Sequence, residues 1–91
     1  MRVLEASELE RLVRRTFPAK PGFAVGRDLG LTPNRLPAVA FIHGGPDPYL
    51  DRDVDEWLQG RPKFVGLYPL LNRLCRAGAL APGAYAVTRG T

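Results

Sequence analysis

The sequence predicts a small, mainly α single domain spanning residues 1–91 and closing with a short β-hairpin or strand. Three observations carry that expectation. Ninety-one residues suffice for one hydrophobic core. Three stretches repeat apolar residues at helical spacing, whereas only a short segment near the C-terminal end reads as a strand. Ten glycines and nine prolines keep the elements short and force many turns.

The first helix is expected over residues 8–17. Leu9, Leu12, Val13 and Phe17 recur on one helical face, and Ser7-Glu8-Leu9-Glu10 has the form of a capping box. Arg11, Arg14 and Arg15 toward its end suit the helix dipole, and Pro18 stops it. Residues 18–37 read as an irregular link. Within it Phe23–Val25 suits a short strand, Ala24–Leu29 a helical turn, and Thr32-Pro33 an N-cap followed by proline for a single turn. Ala38–Ile42 is apolar throughout and fits either a buried strand or a short buried helix, because periodicity does not separate the two.

Gly44–Pro48 is a loop by composition. Asp51 or Asp53 then caps a second helix of about residues 52–59, with Leu50, Val54, Trp57 and Leu58 on one face and Gly60 and Pro62 at its end. A third helix over about 67–77 carries the stripe Leu67, Leu70, Leu71, Leu74 and Cys75. Asn72, Arg73 and Arg76 fall on the opposite side, and Gly78 follows as the left-handed stop. Ala79-Leu80, a Pro82-Gly83 turn and a strand over 84–88 complete the chain.

Charge is unevenly placed along a chain of net charge +4. Residues 1–46 hold seven Lys/Arg against four Asp/Glu, residues 47–60 one against five, and residues 61–91 five cations with no acid. A C-terminal third without a carboxylate would make a positive surface suited to nucleic acid, an acidic protein or an anionic membrane. No apolar run approaches the ~18–20 residues of a membrane-spanning helix, and the N-terminal segment lacks a secretory apolar core, so a cytoplasmic chain with Cys75 as a free thiol is expected.

Several motifs with chemical associations are incomplete. Residues 37–46, ending in His43-Gly44-Gly45-Pro46, resemble the strand and oxyanion loop of α/β-hydrolases, yet the only serine is Ser7 and no nucleophile elbow exists. Asp51-Arg52-Asp53-Val54-Asp55 alternates like the start of a calcium loop, but Glu56 and Pro62 stand where that loop needs Gly and Glu. One His and one Cys do not fill a zinc site. No enzyme activity, catalytic residue, metal or cofactor is expected.

The order of elements over residues 51–88, a helix, a turn, a leucine-striped helix, Gly78-Ala79-Leu80 and a Pro-Gly turn into a strand, resembles the second half of a winged-helix DNA-binding domain. The resemblance implies a small three-helix fold in which Asn72, Arg73 and Arg76 face the major groove of double-stranded DNA. Lys63 and Arg89 would then meet phosphates from the turn and the wing. The alternative is a protein–protein adaptor or accessory subunit that docks a larger partner through residues 38–42, Phe64, Tyr68 and the acidic segment 47–56.

Overall fold

The computed structural model describes residues 1–17, 38–61 and 65–88. In chain order these form β1 (Arg2–Glu5), α1 (Ala6–Thr16), β2 (Ala38–Ile42), α2 (Pro48–Leu58), α3 (Leu67–Arg76) and β3 (Gly83–Thr88). The expectations for residues 18–37, and for Lys63, Phe64 and Arg89, lie outside the described residues.

The three strands make one mixed sheet in the order β1-β3-β2, with β1 parallel and β2 antiparallel to β3. This corrects the expected mainly helical, winged-helix-like fold with a terminal hairpin. β3 is the central strand, so its partners come from distant parts of the chain. Val3 and Val39 both stand opposite Ala86, one on each side. Ala79-Leu80, placed before the Pro82-Gly83 turn, is not a strand, so no hairpin forms there. Of the two buried alternatives for residues 38–42 the strand is observed, but it lies at the sheet edge with Val39 and Phe41 exposed rather than buried.

Strand alternation divides each side chain set between two faces. Ala40, Ile42, Tyr85 and Val87 point inward and join Leu9 and Val13 of α1, Val54, Trp57 and Leu58 of α2, and Leu70, Leu71 and Leu74 of α3 in one core. The helices therefore supply the cover of one sheet face. Tyr85, although wholly buried, satisfies its hydroxyl by donating to the Ala81 carbonyl at 2.7 Å.

Helix starts differ from expectation for local reasons. β1 runs straight into α1, and Glu5 is still extended when the helix opens at Ala6, so Ser7 is already inside the helix and no side chain caps it. α2 opens at Pro48, earlier than the expected residue 52. Asp47 is its N-cap and accepts from the Leu50 N–H at 3.3 Å, and Pro48 occupies the first turn, where a missing N–H costs nothing. Asp51 does not cap the helix but accepts from the Asp47 N–H at 3.2 Å.

Helix ends follow the glycine signals. In α3 the Gly78 N–H reaches the Cys75 carbonyl at 3.0 Å and the Ala79 N–H reaches Leu74 at 2.9 Å. In α2 the Gly60 N–H reaches Trp57 at 2.9 Å and the Arg61 N–H reaches Glu56 at 3.2 Å. Both pairs close a Schellman motif, which needs the left-handed backbone seen at Gly60 and Gly78.

Candidate interaction surfaces

The polar side of α3 is the first candidate surface: Asn72 is buried, Arg73 half-buried and Arg76 exposed. Asn72 is 3% exposed. Its Oδ1 accepts from the Gly44 N–H at 2.7 Å, and its Nδ2 donates to the Gly45 carbonyl at 2.6 Å. The loop after β2 is thus bound to α3 by one amide side chain. Gly44 permits that approach: it has φ +80°, and a Cβ there would sit 3.2 Å from Cys75 Sγ and 3.3 Å from the Arg76 nitrogen.

The two arginines turn toward α2. Arg73 Nη2 donates to Asp55 Oδ1 at 2.8 Å, its Nη1 lies 3.8 Å from Asp51 Oδ1, and its guanidinium stands 5.9 Å from the centre of the Phe17 ring. Arg76 Nη2 pairs with Asp51 Oδ2 at 2.9 Å, and Nη1 donates to the Gly45 carbonyl at 3.3 Å. The hydrogen bond from Arg76 holds the Asp51 carboxyl below its ordinary pKa, helped by the Asp47 N–H and opposed by partial burial. The same bond raises the Arg76 pKa.

These contacts explain why the charge pattern misleads when read linearly. The acids of residues 47–60 and the cations of α3 are neighbours in space, so Asp51, Asp55, Arg73 and Arg76 neutralise one another. Glu56 is likewise met by Arg61 at 3.5 Å. Tyr68, expected as an exposed anchor, packs half-buried against the core. His43 is exposed, and its Nδ1 accepts from the Gly45 N–H at 3.1 Å. Among the described residues no group of His, Cys, Asp and Glu is placed to hold a metal ion, and no helix is long and apolar enough to cross a membrane.

The second candidate surface is the sheet face turned away from the core. Val3 is 63%, Val39 62% and Phe41 70% exposed. Cross-strand register sets Val3, Ala86 and Val39 in one row and Ala84 beside Phe41 in the next. Ala86 is buried between its two larger neighbours, which leaves small residues along the centre of the face and large ones at its sides. Met1, also exposed, borders a shallow depression with Ala84 at the end of the face. That depression, about 190 Å³, is smaller than the ~300 Å³ at which small-molecule pockets begin.

Residues 38–42 belonged to the expected docking segment of the adaptor alternative; Val3 did not. Its placement depends on β1 pairing with β3, which has no local signal in four residues. The outward role of Val39 and Phe41 was detectable in one respect: a strand that is apolar at every position presents apolar side chains on both faces. Comparison with protein-family models, curated proteins and solved structures finds no match to this chain.

Proposed function

We propose that this chain is a non-enzymatic protein-interaction module that docks a protein partner on the outer face of its sheet. The observation that supports this reading is the alignment of exposed Val3, Val39 and Phe41 around Ala84 and Ala86. Contiguous apolar surface of this kind on a small domain marks a contact site. Phe41 is the anchor, because a large aromatic side chain contributes most when it is desolvated in an interface.

The duplex-DNA reading draws on the net positive charge and on Asn72, Arg73 and Arg76. Those three side chains are engaged within the fold, so groove contact would require each to leave its partners. The geometry supports the protein-partner reading better.

A site-specific cross-linking experiment tests it. A photo-reactive side chain at Val39 is expected to form a discrete protein adduct in a lysate of the source cells, while the same group at exposed Arg11 on α1 forms none. Equal capture at both positions, or none at Val39, overturns the proposal.

A further inference from the structure

We infer that the outer edge of β2 pairs with the same edge of a second copy, antiparallel and about a two-fold axis at Ala40. A strand at the side of a sheet presents unpaired backbone N–H and C=O groups, and proteins guard such edges with charges, prolines, bulges or short strands. The two edges of this sheet differ in that respect. β1 is four residues long and carries exposed Arg2 and Glu5. β2 has five residues, Ala38-Val39-Ala40-Phe41-Ile42, with neither a charge nor a proline among them. It meets β3 residue for residue over five consecutive pairs, so no bulge bends its edge away. Among the described residues no strand lies on its other side.

Self-complementarity names a second copy as the occupant. Each contact across a two-fold axis occurs twice, so the strand must match its own reverse. With the axis at Ala40, Val39 of each copy stands opposite Phe41 of the other on the outer face of the joined sheet. Those two are the exposed apolar residues of β2, at 62% and 70%, and a β-branched residue opposite an aromatic one is a favourable cross-strand pair. Ala40 faces its own copy on the inner side, where a small side chain fits the axis. A strand without charge joins chains of net charge +4 with no like charges set opposite each other. The side-chain period of two keeps both cores on one face of the joined sheet. The charged β1 strands then form both of its edges, so growth stops at two copies. Main-chain hydrogen bonds rather than buried area hold such a joint, which makes it weak and concentration-dependent. The pairing is independent of what docks on the outer face, where it brings Val39 and Phe41 of two copies side by side.

Sedimentation equilibrium of the full chain from about 10 to 500 µM tests the inference, because self-association depends on concentration. The mass should rise from 10.0 kDa and level off toward twice that value. Val39→Lys, which guards the edge with a charge, should hold the chain at 10.0 kDa with an unchanged far-UV circular dichroism spectrum. Phe41→Lys serves if that variant does not fold. Val3→Lys lies on the same outer face but on the opposite edge strand, so the folded variant should associate like the wild type. A wild-type chain at 10.0 kDa throughout overturns the pairing. So does a mass that climbs beyond two copies, or a folded Val39→Lys chain that still associates. Loss of association in folded Val3→Lys also overturns it, since that result means face-to-face packing instead. A cross-linked adduct between Val39 and a different protein reports on docking and is read separately from the mass of the chain.

Discussion

Asn72 Oδ1 accepts the Gly44 N–H at 2.7 Å, a bond that joins residues 28 positions apart and ties the end of β2 to α3. The same side chain donates to the Gly45 carbonyl. Removing it leaves the Gly44 N–H without its partner, while the Gly45 carbonyl keeps the bond from Arg76 at 3.3 Å, and an unsatisfied backbone group costs about 1–3 kcal/mol. Asn72→Ala is therefore expected to lower the melting temperature by roughly 5–15 °C, at about 4–8 °C per kcal/mol for a domain of this size. Thermal unfolding followed by circular dichroism checks it. An unchanged melt means that the loop does not depend on this contact.

Asp51 should control the acid limb of stability. Its folded pKa lies below the ordinary aspartate value of 3.8, chiefly through the hydrogen bond from Arg76. A depressed carboxylate pKa contributes stability that is present above the unfolded value and is lost as pH falls through the folded one. Stability is thus expected to be level with respect to this group above about pH 5 and to decline below pH 3.8. Denaturant midpoints measured from pH 6 to 2.5 should show the decline, and Asp51→Asn should reduce it while lowering the plateau. A variant with the same acid slope as the wild type would show that Asp51 does not carry this dependence.

The leucine stripe makes a sharper stability prediction. Leu71 and Leu74 are wholly buried in the core between α3 and its neighbours. Truncating either to alanine should cost about 2–5 kcal/mol, a large share of the roughly 5–10 kcal/mol available to a domain of this length. Chemical denaturation of Leu71→Ala and Leu74→Ala measures the loss. Melts like the parent in both would remove α3 from the core.

The same residues show which parts of the fold were legible in the sequence. The α3 stripe, the stop at Gly78 and the apolar positions of α1 follow from interactions within a few residues, and local pattern records those. The start of α2 was also locally encoded, in Asp47-Pro48, but the acids at 51 and 53 drew the expected boundary inward. β1 and its parallel pairing with β3 depend on residues more than 80 positions apart, and four residues of mixed character contain no trace of that partner. The outward orientation expected of Asn72 and Arg73 fails for a related reason, whereas Arg76 is exposed yet paired with Asp51. A helical wheel separates the polar side from the apolar side, but it does not show that an acidic helix and a glycine loop pack against the polar one.

Arg73 separates the two functional readings most directly. In a DNA-contacting helix, Arg73→Ala would weaken binding and leave the fold untouched. Here the guanidinium bonds Asp55, lies near Asp51 and covers the Phe17 ring, with its side chain 23% exposed. Its removal is expected to cost about 1–2 kcal/mol, because charge-assisted bonds of partly buried groups are worth more than those at the open surface. Arg73→Lys should restore only part of that loss, since an ammonium does not reproduce the planar fork. Duplex DNA at about 50 mM salt is expected to give no saturable anisotropy change with the wild-type chain, as low salt favours any phosphate contact that exists. An affinity that falls steeply with salt, and whose slope drops by roughly one unit in Lys63→Ala or Arg89→Ala, would instead support the DNA reading. Normal stability of Arg73→Ala combined with lost DNA binding would require the guanidinium to point to solvent, against the bonds to α2.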